Sequence, residues 1–320
     1  YGSSKPHPVA TYSGSIAGTG GLIKAGSGTA LVLDTAHTGS SNIFAGALDV
    51  AGGSVVLAGG SSVDDDTAVI VRDGATLRVE GSETVGPLTG DGTVVIEPPV
   101  NDGDNAANVS LTVQVDEADD DTSVPEFGGR VTGEGKLAKT GAGQLILNNP
   151  NMASDNNYTG GTNVRAGTLR VTGNAIGDES AVVVDGGATL VVTGSETIGS
   201  LDATDAKTVT ASTAVNPATV IIEEPSSDAN GDSDVTLTLG GNDATTEFRG
   251  VVDGEGGITK VGTGTFTLQS SDGTNVYGDS NGNAGNTFGG DLVIQEGAVK
   301  VEGGAAIEDN RRVVVGPSGT

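Results

Sequence analysis

The residues of this chain best suited to chemistry are its acidic clusters: Asp64-Asp65-Asp66, Asp102-Gly103-Asp104, Asp119-Asp120-Asp121, the run Asp228 to Asp234 and the run Asp279 to Asn283. In the last two, side-chain oxygens alternate at Asp228, Asn230, Asp232 and Asp234, and again at Asp279, Asn281 and Asn283. Hard divalent cations take such oxygen sets, so calcium is the metal these loops could hold. Neither run is a complete helix–loop–helix calcium loop: Ser233 stands where the sharp turn needs glycine, and Leu239 where a bidentate glutamate should close the shell. The same runs also read as solvated loop charge. No other cofactor is required by the sequence.

Other chemistry finds little material. Two histidines, His7 and His37, are too few and too far apart for a metal pair. There is no cysteine, which removes disulfides, thiol catalysis and thiolate metal sites. No Gly-x-Ser-x-Gly elbow occurs, and Ser195-Glu196 lies inside a repeated segment rather than a catalytic set. The reading is a non-enzymatic protein. A net charge of −27 excludes the basic stripe that nucleic acids and anionic membranes require.

The elements that carry these loops are organised by a repeat. Gly133-Glu-Gly-Lys-Leu-Ala-Lys139-Thr-Gly141-Ala-Gly143-Gln-Leu-Ile-Leu147 returns around Lys24 and Lys260, at offsets of 115 (139 − 24) and 121 (260 − 139). Leu137 with Lys139, and Leu145 with Leu147, alternate with period two and so mark half-buried strands. Gly141 and Gly143 break the run at a corner. No helix follows these glycines, so a phosphate loop is rejected. At Lys24, Lys139 and Lys260 the ammonium is expected to satisfy carbonyls at a corner.

Tyr12, Phe127 and Phe248 open successive units at the same offsets, and each ring is expected to anchor its unit by packing into the core. A second strand pair recurs from Phe44, Tyr158 and Phe288, and a third from Val69, Val182 and Val313. Gly81-Ser82-Glu83-Thr84 returns as Gly194-Ser195-Glu196-Thr197. The expected layout is a lead-in over 1–11, then modules over 12–126, 127–247 and 248–320, the last truncated, in one continuous solenoid.

Fifty-four glycines, few aromatics and abundant β-branched residues give an all-β composition without a helical period. Turn-punctuated strand sets of about 20 to 25 residues match the coil of a β-solenoid, whose coils bury their apolar faces only by stacking. The repeat alignment runs off the end of the chain inside a strand pair, and no signal peptide opens it. A fragment of a longer protein is therefore expected.

The patterns Leu137 to Leu147 and Tyr158-Thr-Gly-Gly-Thr-Asn-Val-Arg-Ala-Gly-Thr-Leu169 resemble the passenger-associated repeat of bacterial autotransporters, the type V secretion proteins. The resemblance implies a right-handed parallel β-helix on the outside of a Gram-negative cell. It implies an adhesin-like passenger or stalk, anchored through a region outside these residues, that meets a host or neighbouring-cell receptor or glycan. A self-assembling filament or biofilm matrix subunit is the alternative, and a polysaccharide-processing β-helix enzyme the second alternative.

Overall fold

The computed structural model describes residues 9–34, 42–97, 109–116, 124–149, 156–203, 217–223, 235–269, 286–302, 306–307 and 311–320. Among these the chain is all-β, with no helix, and every paired strand is parallel to its partner. Parallel pairing between strands this short, with no crossover helix, arises when the chain winds round and lays each coil on the last. The sheets are those of a β-solenoid.

Register follows the alternation in the sequence. One inward ladder runs Leu33↔Leu57↔Val79↔Ile96, and another runs Leu145↔Leu169↔Leu190↔Val220↔Val252. All these side chains are buried. Apolar residues of like size thus stack on one another along the axis. Each fully buried Leu or Val contributes about 1.5–3 kcal/mol relative to exposure. The intervening outward positions, such as Thr168, Thr189 and Thr219, keep a polar surface.

The repeated lysine strands do not stack on each other. Leu22–Lys24 pairs with Leu48–Val50, Lys136–Thr140 with Ser110–Gln114 and Thr162–Val164, and Gly257–Lys260 with Thr236–Leu239 and Leu292–Glu302. These lie in three different sheets. Repetition in sequence therefore distributes one local structure over different sides of the stack.

The aromatic expectation holds for two of its three residues in burial: Phe127 and Phe248 are fully enclosed. Tyr12 is corrected. It is 41% exposed, because the whole of strand Val9–Tyr12 is exposed and pairs on one side only, with Ala30–Asp34. Its ring folds back over Gly14, and its hydroxyl donates to the Ser15 carbonyl at 3.3 Å.

If the inward ladders carry the stability, truncating a central member leaves a void between two coils. Leu190→Ala, between Leu169 and Val220, should lower unfolding free energy by about 3 kcal/mol, read as a shifted urea midpoint with unchanged slope.

Candidate functional site

Two constructions recur where the strands turn, and both use polar side chains, buried except at the partly exposed Lys24, to complete backbone hydrogen bonding. The first is built on the repeated lysines. Lys139 occupies an inward ladder position, Val113↔Lys139↔Val164, at the end of its strand. From there its Nζ donates to the carbonyls of Thr140 at 2.6 Å, Gly141 at 2.8 Å and Ala166 at 3.2 Å. Lys24 donates to Ala25 (3.1 Å), Gly26 (2.7 Å) and Gly52 (3.0 Å). Lys260 donates to Val261, to Gly262 at 2.7 Å and to Glu296 at 3.5 Å. In each case two carbonyls belong to the corner just after the lysine, and the third to the corner of the next coil.

Glycine makes room for this stacking. Gly141 has φ +78°, and a Cβ there would lie 2.3 Å from the Val115 carbonyl oxygen of the coil before. Gly167, with φ +65°, faces the carbonyls of Gly141 and Gly143 at 2.4–2.5 Å from where its Cβ would stand. At Gly143 a Cβ would meet the Asp116 carbonyl oxygen at 2.4 Å. Corner carbonyls of adjacent coils are thus pressed together, and the ammonium sits among them. Burial pushes the Lys139 ammonium down to about 8, opposed by the nearby Asp116, so it stays largely protonated at neutral pH. Burial likewise lowers Lys260, against Asp243 and Glu296.

The second construction pairs an asparagine with a glutamate. Asn156 accepts from the Val131 amide at 2.5 Å and donates to the Ala175 carbonyl at 2.7 Å, so one carboxamide spans three successive coils. Glu196 then accepts from the amides of Ala175 (2.9 Å) and Ile176 (3.2 Å). The same arrangement joins Ile16, Asn42, Ser62 and Val63 to Glu83, with bonds of 2.6–3.1 Å. Asn286 repeats the first half, accepting from Val252 at 2.8 Å and donating to Ala306 at 2.9 Å. Desolvation raises the Glu83 carboxyl to about 7 against the two amides it accepts, and raises Glu196 well above the ordinary carboxylate range for the same reason.

Sequence reasoning read the Gly-Ser-Glu-Thr repeat as structural but gave these glutamates no role, and it missed the asparagines. The signal was present: each asparagine stands two residues before a buried aromatic, as Asn42-Ile43-Phe44, Asn156-Asn157-Tyr158 and Asn286-Thr287-Phe288. Tyr158 adds a buried hydroxyl chain, with Thr162 Oγ1 at 2.6 Å and Ser180 Oγ 3.2 Å beyond.

The calcium candidates Asp228, Asn230, Asp232, Asp234, Asp279, Asn281 and Asn283 lie outside the described residues, as do His7 and His37. Asp64, Asp65 and Asp66 are described and exposed; the Asp66 carboxylate accepts from Gln114 at 3.2 Å. No grouping of three or more His, Asp or Glu side chains that could hold a metal occurs among the described residues.

Residues 22–57, 137–171 and 258–279 match the passenger-associated-transport-repeat family, and the lysine corners open the matched stretches. Three separate stretches of the chain thus match this repeat. Over 179 residues, 56% of its length, it is 30% identical to the adhesin BmaC autotransporter of Brucella suis biovar 1, of which it spans 4%. No solved structure gives a significant match. The resemblance read from the lysine and glycine patterns is supported by both comparisons.

Replacing Lys139 with Met keeps its volume but takes the ammonium from three crowded carbonyls, of which that of Thr140 keeps the Val115 amide at 3.0 Å, so stability should fall by about 3 kcal/mol. Gly141→Ala, which forces a Cβ against the Val115 carbonyl in a left-handed conformation, should cost at least as much. Chemical denaturation of each variant checks both.

Proposed function

We propose that this chain is a length of the surface-exposed passenger of an autotransporter adhesin, acting without catalysis. In this reading it is a right-handed parallel β-helix of about three modules, held outside a Gram-negative cell by a region beyond these residues. It attaches the cell to a receptor or glycan on a host or neighbouring cell, or it carries a distal binding region away from the surface. The observation that carries the reading is the coincidence of three passenger-associated repeats with the 179-residue likeness to a protein named as an adhesin.

The architecture suits that role. Parallel stacking gives each coil two backbone-paired neighbours, so length can be added without a new core. The ladder alternate to the apolar one mixes charged and aliphatic positions, Glu126↔Ile146↔Arg170↔Val191↔Ile221↔Asp253, of which Val191 is covered and the others reach the surface. Ion pairs such as Arg170–Glu223 at 2.9 Å lie along it. An excess of acidic over basic residues, 42 to 15, keeps neighbouring copies apart at moderate salt.

Displayed on a non-adherent bacterium through a neutral carrier, this chain should raise attachment to host cells several-fold over the carrier alone. Attachment equal to the carrier, with the displayed chain folded, would count against direct adhesion and leave the spacer role.

A further inference from the structure

On one side of the stack the first module departs from the second, and the departures meet in a groove. Leu31 and Leu33 pair with Val55 and Leu57, as Leu145 and Leu147 pair with Leu169 and Val171 in the second module. The corner that leads to them is one residue longer, from Lys24 to Leu31 against Lys139 to Leu145, so Ala30 falls where Gln144 stands. Two coils on, Arg78 takes the place of Val191. The longer corner, the small Ala30 and the bare backbone at Gly74 leave a groove of about 350 Å³ across three coils. Gly74 has φ +72°, and a Cβ added there would meet nothing within 4 Å.

The groove presents hydroxyls. Ser27 and Thr29 come from the longer corner, and Ser54 and Thr76 are register partners on the next two coils, at outward positions beside the buried Val55 and Leu77. Among the described residues no hydrogen bond of the chain takes up any of these four hydroxyls, whereas those of Thr162, Thr172 and Thr193 are bonded within the fold. The backbone is already engaged: the Thr76 amide donates to Gly53 at 2.9 Å, so a peptide finds no strand edge to extend. The Arg78 guanidinium is matched by Glu97 at 2.5 Å and Glu80 at 3.4 Å, and the Lys24 ammonium behind the corner is held by three carbonyls. No carboxylate lines the groove, so it lacks the acid and base that would cleave a glycosidic bond.

We infer that this groove is a saccharide subsite, which takes a neutral oligosaccharide lying along the axis of the stack. The inference rests on the adhesion reading for its setting, and on the groove for its chemistry. Adjacent coils lie about 4.8 Å apart, so Ser54 and Thr76 repeat a hydroxyl at that interval, and a chain of sugars presents donors and acceptors all along its length. The volume stands at the small end of ligand sites, room for a short stretch of a glycan. Both nearby cations are compensated and the chain carries a net charge of −27, so sialylated or uronate-bearing chains are repelled.

Saturation-transfer difference NMR on the intact chain tests this, with cellobiose, lactose, maltose and N,N′-diacetylchitobiose as neutral probes and digalacturonate as the acidic one. At least one neutral disaccharide should receive saturation, and digalacturonate at the same concentration should not. The double variant Ser54→Ala, Thr76→Val keeps the outward volume and should weaken binding of that disaccharide about tenfold or more. Gly74→Asn, whose new residue type tolerates the left-handed conformation, sets a side chain in the open space and should abolish binding with little change in melting temperature. No saturation of any neutral probe overturns the inference, as does equal binding of digalacturonate or undiminished affinity in either variant. Should Gly74→Asn fail to fold, the double variant decides. The outcome is separable from that of the display experiment. A folded chain that binds a disaccharide but attaches to no cell counts against adhesion alone. One that attaches equally with and without the Ser54 and Thr76 hydroxyls, and takes no disaccharide, counts against the groove alone.

Discussion

A chain wound into stacked coils must turn corners, and at each corner the carbonyls that leave the strand point where the next coil's backbone has to pass. That crowding is the constraint on which the rest of this structure depends. Glycine removes the Cβ that would prevent the approach, as at Gly141 and Gly167, and the buried ammonium of Lys139 then bonds carbonyls from two successive coils at once. Only when the corner closes can Leu137 and Leu145 on either side of it stack on their neighbours in register. Turns that lack ladder bonds are closed by Asn156 and Glu196, or Asn42 and Glu83, instead of by lysine. Among the described residues the buried lysines, asparagines and glutamates of these turns are satisfied by backbone groups, whereas the buried Thr67 hydroxyl has no partner.

Much of this was legible in the sequence, because the features concerned are local. Period-two alternation announces a strand wherever one face is buried, and a glycine required by φ or close approach recurs at each copy of the corner. The placement of the lysine next to those glycines gave the corner its chemistry before any coordinates. What the sequence left open is long-range. The interval between stacked positions varies widely, from Thr76↔Thr93 to Thr93↔Arg130, because loops of different length leave the coils. Equal offsets in sequence therefore do not return a repeat to the same side, and the three lysine strands fall in different sheets. Tyr12 shows the same limit: its type and spacing match Phe127 and Phe248, but burial depends on a second neighbouring strand, which spacing does not encode. The glutamates were hidden for another reason. An acidic residue in a repeat reads as surface charge unless its two amide partners, some twenty residues away, are known.

In the proposed passenger role, rigidity is what connects this construction to function. Attachment at a distance from a cell needs a body whose coils do not slide, since a one-residue slip would turn every apolar ladder outward. The in-register stack of like side chains and the corner bonds between coils both resist such a slip. The surface can then vary, carrying its acidic excess and its loops without altering the core.

The central claim, that neighbouring coils pair in the stated register, is most directly tested by disulfide trapping in this cysteine-free chain. Asn163 and Val183 are register partners with outward side chains, at the separation of adjacent strands, which lies within disulfide reach. With cysteine at both positions, mild oxidation should give a rapid intramolecular crosslink, whereas cysteines at 163 and 184 should stay reduced because Val184 faces the core. Trapping of the 163–184 pair in preference to 163–183 would contradict the register and the coil stacking built on it.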